Sequence, residues 1–462
     1  MTGTPLRVAV VGAGPSGFYA ADSLLKQDRS IEVDLFDRLP TPFGLVRGGV
    51  APDHPKIKSV TRVYDKVAAH PAFRFFGNVT AGRDLTADEL SRHYHAVVWA
   101  VGAESDRSLG IPGEELPGSH TATEFVGWYN GHPDFQDRRF DLSQEAAVVV
   151  GVGNVAMDVT RILSSDPERL ATTDITASAL AALRDSNVRT IYVLGRRGPA
   201  QAAFTNPELK ELGELPETDV VVRAEDLELD AATLASLEAT PDREAEKNLK
   251  TLRGFVERGL EGHARRIELL FSTSPLRIEG EGRVERVVIG ANRLEPGPRG
   301  VQAVATGEES TLQAGLVFRS VGYRALPVPG VPFDERRAVI PNERGRVRAS
   351  ADGATVPGCY VAGWIKRGPS GIIGTNKPDA IETIGCLLED ADSGALPEPV
   401  VTRREEIVTL LESRGVEVVR WSDWQALDAH ECSAGTARGA PREKLTDTGA
   451  MLDIIRGTRR AT

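Results

Sequence analysis

Cysteine is nearly missing from this sequence: its 462 residues include only Cys359, Cys386 and Cys432, with no CxxC and no spacing suited to a metal. That excludes an iron–sulfur cluster held by the chain itself and a dithiol redox pair of the usual kind. Long apolar runs are missing as well. With no stretch of about 18 apolar residues and no charged, apolar, small-residue pattern at the start, the chain is expected to be cytoplasmic and not to insert in a membrane. Positive charge is in deficit. The formal net charge is -11, so the overall balance gives no support to nucleic-acid binding.

Glycine, by contrast, is abundant, and two clusters of it are informative. Gly12-Ala13-Gly14-Pro15-Ser16-Gly17 follows Leu6-Arg7-Val8-Ala9-Val10-Val11, and Gly151-Val152-Gly153-Asn154-Val155-Ala156 follows Ala147-Val148-Val149-Val150. Each has the strand, turn and helix context of a dinucleotide fingerprint. The first Gly permits the sharp bend, the second lets the backbone approach a pyrophosphate, and the third position, Gly or Ala, lets helix and strand pack closely. The helix N-terminus then offers free N–H groups to the phosphates.

The surrounding pattern predicts α/β architecture: two doubly wound, Rossmann-like dinucleotide-binding domains. A helix is expected from Pro15 to about Lys26, and a strand over Ile31-Glu32-Val33-Asp34-Leu35-Phe36. The loop from Leu39 to Pro55 is too rich in Pro and Gly to be helical, and a loop of that length points to function. Ala96 to Ala103 and Leu316 to Tyr323 both read as apolar strands ending in small residues, which suggests crossings into and out of an inserted domain. The expected division is 1–105 with 330–462 for a discontinuous first domain and 106–329 for the second. Asp242 to Leu260 reads as an amphipathic helix carrying Leu249, Leu252, Val256 and Leu260 on one face.

The two fingerprints differ where a ribose would lie. Asp37 closes the second strand of the first unit, 20 residues after Gly17; an acidic group there accepts ribose hydroxyls and repels a 2′-phosphate. The corresponding strand of the second unit ends in Gly195-Arg196-Arg197-Gly198, two permanent cations suited to a 2′-phosphate. The second site is therefore expected to prefer NADP. The first, with a distant C-terminal segment returning to it, suits FAD. Gly368-Pro369-Ser370-Gly371-Ile372-Ile373-Gly374 precedes a helix expected from Lys377 to Leu388, so its backbone amides can approach a flavin edge.

Pro40-Thr41-Pro42-Phe43-Gly44-Leu45-Val46-Arg47, Val50-Ala51-Pro52-Asp53-His54-Pro55, Gly153-Asn154-Val155-Ala156-Met157-Asp158, Gly195-Arg196-Arg197-Gly198-Pro199 and Gly363-Trp364-Ile365-Lys366-Arg367-Gly368-Pro369 together resemble adrenodoxin reductase and the FprA-type NADPH–ferredoxin reductases over nearly the whole chain. The resemblance implies a glutathione-reductase-like fold without the interface domain. It also implies hydride transfer from NADPH to FAD, and single-electron transfer to a ferredoxin-type iron–sulfur protein that supplies, for example, a cytochrome P450. By the same resemblance Gly12, Gly14, Pro15, Ser16, Gly17, Asp37, Leu45, Val79, Trp364, Gly371, Ile372 and Ile373 belong to the FAD site. Arg107, Gly151, Gly153, Asn154, Val155, Arg196, Arg197, Glu208 and again Gly371 belong to the NADPH site. His54, Asp158 and Glu211 match groups that shape the surroundings of the reacting rings. The partner is expected to dock transiently and electrostatically, with Lys247, Lys250, Arg253 and Arg258 as candidate cations.

Two other readings use the same folds. A flavin monooxygenase of one common class would carry an F-x-G-x-x-x-H stretch between the fingerprints, and Thr121 to Asn130 is a poor substitute for it. A non-catalytic nucleotide sensor would have no use for the loops 40–55 and 363–374.

Overall fold

In the computed structural model, which describes residues 5–298 and 300–461, the chain forms two compact units, 1–105 with 322–462 and 106–321. The return to the first unit comes at Gly322, ahead of the expected position 330. The reason lies in packing: Ala325, Val328 and Val331 are already buried in a cluster with Val11, Val97 and Trp99 of the first unit.

The first unit is built on a seven-stranded sheet in the order Asn342–Glu343, Arg346–Arg348, Thr355–Val361, Ala96–Trp99, Leu6–Val11, Ile31–Phe36, Phe73–Phe76. The last five run parallel, with Val8 beside Val33 on one side and Ala96 on the other. Leu6–Val11 is buried along its whole length, as a central parallel strand covered on both faces must be. Helix Pro15–Leu25 buries Phe18, Ala20, Ala21 and Leu24 in the same cluster as Ala380, Ile384 and Leu387 of helix Asn376–Asp392. That long helix is the element expected from Lys377, one residue earlier and four longer at its end.

The loop 39–55 departs from expectation. Phe43 (φ 85°) and Gly44 (φ 49°) reverse the chain in left-handed backbone, and a single helical turn, Leu45–Gly48, follows. It closes with Gly48 N–H on Gly44 O and Gly49 N–H on Leu45 O. Pro55 then opens the turn Pro55–Lys58, where its missing N–H costs nothing. Proline and glycine here set the ends of short turns rather than forbidding them.

The second unit repeats the plan. Its six-stranded sheet runs Ser119–Thr121, Leu316–Arg319, Ala146–Val150, Thr190–Leu194, Arg265–Leu270, Thr218–Val222, all parallel. A three-stranded antiparallel sheet, Thr273–Glu279, Arg286–Gly297 and Gly300–Gln313, accompanies it. The sequence pattern around 286–289 shows only a short piece of it. Helix Arg243–Arg258 is capped by the Asp242 side chain and ended by Gly259 at φ 71°. It buries Ala245, Leu249, Leu252 and Phe255; Leu260, expected on that face, lies beyond the helix end and is exposed. Among the described residues no helix is long and apolar enough to cross a membrane.

The tightest packing in the first unit is at Gly17, where a Cβ would stand 1.9 Å from Gly12 O. We expect Gly17→Ala to cost at least about 1–3 kcal/mol through overpacking against fixed backbone. A thermal melt of the variant matching the wild type would show that the helix and strand are not held that close.

Candidate functional site

In the first unit the chain leaves Leu6–Val11 at Gly12 with φ 111°, a position where a Cβ would meet Ala100 O at 2.4 Å. Pro15 begins the helix, and its first backbone bond is Phe18 N–H to Gly14 O at 3.1 Å. The amides ahead of Phe18 lack intrahelical acceptors and sit at the positive end of the dipole, a cradle for phosphate. Two other segments close on this turn. Phe43 N–H donates to Ala13 O (2.8 Å), and a Cβ on Gly44 would lie 2.9 Å from Gly14 Cα. Gly363 (φ 82°) would place a Cβ 2.2 Å from Ser16 Oγ, which itself donates to Asn376 Oδ1 at 3.1 Å. Gly12, Gly14, Pro15, Ser16 and Gly17 are thus gathered with segments from far along the chain.

Asp37 stands beside the same turn. Its Oδ2 accepts from Ala13 N–H (2.7 Å) and its Oδ1 from Leu39 N–H (2.9 Å). Burial pushes its carboxyl up to about 6, against the pull of those two amides and of Arg38. Val79 is buried and donates its N–H to Asp37 O at 2.8 Å. Leu45 and Ile372 are exposed, large apolar groups, at 37% and 60%. Gly371 is left-handed at φ 79°, and Ile373 is half-buried beside it. The Trp364 ring packs on Tyr323 with centroids 5.1 Å apart, and its buried Nε1 has no hydrogen-bond partner. An acidic ribose acceptor, a phosphate cradle of backbone amides and a buried indole donor fit a flavin dinucleotide.

In the second unit Gly151 bends at φ 129°, with a Cβ position 2.1 Å from Ser320 O, whereas Gly153 has nothing within 4 Å of its Cβ position. Ala156 is buried in the core, Val155 packs against it, and Asn154 Oδ1 accepts Thr205 N–H at 2.8 Å. Strand Thr190–Leu194 delivers Arg196 and Arg197. Their carbonyls are tied down, Arg196 O by Asn292 Nδ2 (2.9 Å) and Arg197 O by Ser272 N–H (3.0 Å). Their guanidinium groups make no ion pair among the described residues. Burial and the neighbouring Arg196 push the Arg197 group below its ordinary range. In a chain of net charge -11, two adjacent cations left without carboxylates fit an anionic ligand. Arg107 is exposed at the start of the unit, and no hydrogen bond joins it to the pair.

The structure also groups three of the expected acids. Arg161, buried on helix Asn154–Ser164, meets Asp158 at 2.6 Å, Glu208 at 3.0 Å and Glu211 at 3.3 Å. Arg161 is the residue that the sequence reading missed. Its i,i+3 spacing from Asp158 was the available signal; the two glutamates come from helix Asn206–Leu212. His54 precedes Pro55–Lys58, its N–H donating to Ala51 O at 3.1 Å. The three cysteines are free thiols, and burial pushes Cys359 up to about 11; none is a ready thiolate.

Residues 6–177 match the sequence model of the pyridine nucleotide-disulphide oxidoreductases. The chain is 47% identical to the NADPH-ferredoxin reductase FprA of Mycobacterium tuberculosis, over 97% of this chain and 99% of that one. It is 44% identical to the mitochondrial NADPH:adrenodoxin oxidoreductase of Salvelinus fontinalis, over 98% and 93% of the two chains. Among solved structures, Mycobacterium tuberculosis FprA in complex with NADPH superposes with a TM-score of 0.92 at 47% identity, covering 98% of this chain and all of that one.

Asp37 makes the site sensitive to pH. Its folded-state value of about 6 lies above the ordinary 3.8, so between those values the folded protein holds a proton that the unfolded chain has released. Stability supplied by this group therefore falls as pH rises from about 4 to about 6. In thermal unfolding of the ligand-free protein, Asp37→Asn should gain on the wild type across that window. A difference between the two that does not change with pH would show that Asp37 titrates normally.

Proposed function

The chain belongs to the family of NADPH–ferredoxin reductases and NADPH:adrenodoxin oxidoreductases, and from that premise we propose that it is an FAD-dependent NADPH–ferredoxin reductase. The observation that carries the reading is the inequality of the two fingerprint units, one closed by the carboxylate of Asp37 and the other by the unpaired cations Arg196 and Arg197. The chemistry FAD would supply when bound is acceptance of a hydride from NADPH and release of its electrons one at a time.

The tasks left to the protein are binding, orientation and protection. In this reading Gly12, Gly14, Pro15, Ser16 and Gly17 hold the FAD pyrophosphate, Asp37 accepts hydrogen bonds from its adenosine ribose hydroxyls, and Leu45, Val79, Trp364, Gly371, Ile372 and Ile373 border the rest of it. Gly151, Gly153, Asn154 and Val155 hold the NADPH pyrophosphate, where the open space at Gly153 admits it. Arg196 and Arg197 clamp the 2′-phosphate, with Arg107, Glu208 and Gly371 as further NADPH contacts. Asp158 and Glu211, fixed by Arg161, shape the nicotinamide surroundings, and His54 organises the flavin side and relays a proton when the flavin is reduced. With no iron–sulfur ligands in the chain, the electron acceptor is a separate ferredoxin-type protein. The same reading takes the chain to work in the cytoplasm, where thiols stay reduced.

Ferredoxin docking falls to the helix Arg243–Arg258. There Lys247 is paired with Glu244 at 3.3 Å and Arg258 donates to Gly213 O at 2.8 Å. Lys250 and Arg253 stay exposed without ion pairs among the described residues and are the cations left for an acidic partner.

The test of the function is cytochrome c reduction driven by NADPH. It should depend on added ferredoxin, and Arg196→Gln with Arg197→Gln should weaken NADPH by roughly 10- to 150-fold for each charged hydrogen bond lost while sparing NADH. Equal losses for both nucleotides would remove the 2′-phosphate assignment, and reduction indifferent to ferredoxin would remove the reductase reading. Reversing Lys250 and Arg253 to Glu should slow ferredoxin reduction at low salt and leave ferricyanide reduction intact. Unchanged rates with ferredoxin would move the docking surface elsewhere.

A further inference from the structure

The residues from Trp421 onward belong to neither fingerprint, yet they converge on the loop that closes over the first one. Gly44 lies against Gly14, and this tail holds the residues on both sides of it. On one side, the Phe43 ring sits edge-on between Trp421 (6.1 Å) and Trp424 (5.6 Å). On the other, Arg47 lies over the Trp424 ring at 5.3 Å and has its carbonyl bonded by Lys444 Nζ at 3.2 Å. The Arg47 guanidinium makes a two-pronged pair with Glu431, at 2.8 and 2.5 Å.

Glu431 is the unusual partner. Its side chain is wholly buried, and Arg47 is only 11% exposed. Two more donors complete it: Arg442 at 3.2 Å and Leu445 N–H at 2.9 Å. Burial pushes the carboxyl up, but Arg47 and the other donors outweigh it and hold the group ionised, below its usual range. A carboxylate taken fully out of water has no solvated alternative, so the guanidinium has one geometry in which the pair is satisfied. That geometry fixes the turn Leu45–Gly48, and with it the position of Gly44 against the phosphate turn.

We propose that Glu431 is a positioning residue for the flavin nucleotide, acting through Arg47 to hold the loop 43–49 against the first fingerprint. The proposal rests on the reading of that fingerprint as the FAD site. It gives the C-terminal segment, whose Trp424, Leu427, Met451 and Ile455 already fill the core of the first unit, a task in cofactor retention as well.

The experiment is FAD titration of the flavin-free full-length protein, followed by flavin fluorescence, with visible circular dichroism of the bound flavin and thermal melts alongside. Glu431→Gln keeps the shape and removes the charge. It should weaken FAD binding by roughly tenfold or more, the equivalent of one lost contact, and change the visible dichroism. Because Glu431→Gln leaves Arg47 buried and unpaired, a second protein carries Arg47→Met with Glu431→Leu, which removes both charges. This double variant should melt close to the wild type without flavin and still show the weakened binding and altered spectrum. Wild-type affinity and dichroism in the double variant, or in Glu431→Gln despite a lowered melt, would make the pair a stability element only and overturn the proposal. A wild-type protein that takes up no FAD would instead overturn the reading of the site.

Discussion

A pyrophosphate reaches the end of a helix only where backbone meets backbone with no side chain between, and the first unit is arranged around that constraint. At Gly12, Gly17 and Gly44 a Cβ would fall within 3 Å of backbone, and at Gly363 within 3 Å of the small Ser16 side chain. These four approaches bring the first strand, the first helix, the loop after Asp37 and the returning C-terminal strand to a single turn. Parallel strands on both sides of Leu6–Val11 follow from the same demand, since only a strand at the centre of such a sheet can deliver a turn with helices packed on both faces. The second unit meets the constraint as tightly at its first glycine, where a Cβ on Gly151 would lie 2.1 Å from Ser320 O, and more loosely beyond it. Its third position is Ala156, and Gly153 is left in open space.

Charge then separates what geometry made alike. The first unit places a carboxylate, raised by burial, within reach of its turn, whereas the second places two guanidinium groups there and supplies no acid for them. Several buried charges elsewhere are matched: Arg161 holds three carboxylates, Asp34 is buried between Arg74 and Arg404, and Glu431 takes Arg47 and Arg442. Against that background an unmatched pair indicates affinity for an anion, because leaving Arg196 and Arg197 side by side costs the folded state their repulsion.

Much of this arrangement is visible in local pattern. The strands Leu6–Val11 and Ile31–Phe36, the helix starts at Pro15 and Asn154, and the residues Asp37, Arg196 and Arg197 lie within a few residues of the glycines that announce them. What stayed hidden depends on partners far along the chain. Arg47 and Glu431 are 384 positions apart, and no periodicity links them. Arg161 has the spacing of an ordinary helix ion pair with Asp158, and only the fold adds Glu208 and Glu211. At the end of Arg243–Arg258 the error was local. Gly259 stops the helix before Leu260 can reach the core, and Phe255, outside the leucine pattern, is buried on that helix. The turn Leu45–Gly48 was obscured because its neighbours favour breaks, although the break at Phe43 and Gly44 is what begins it.

The discontinuity of the first unit bears on synthesis. Residues 106–321 form one uninterrupted segment, so the second unit is complete while the remainder of the chain is still being translated. The first cannot close until Thr355–Val361 arrives to pair with Ala96–Trp99, and the tail that grips Arg47 comes later still. Until then the apolar edge of Ala96–Trp99 waits unpaired, and the loop closure needed to cover it spans the whole inserted unit, a slow step of high contact order. The nascent protein thus passes through a state with one finished nucleotide fold and one open sheet edge, an edge that another chain could pair with.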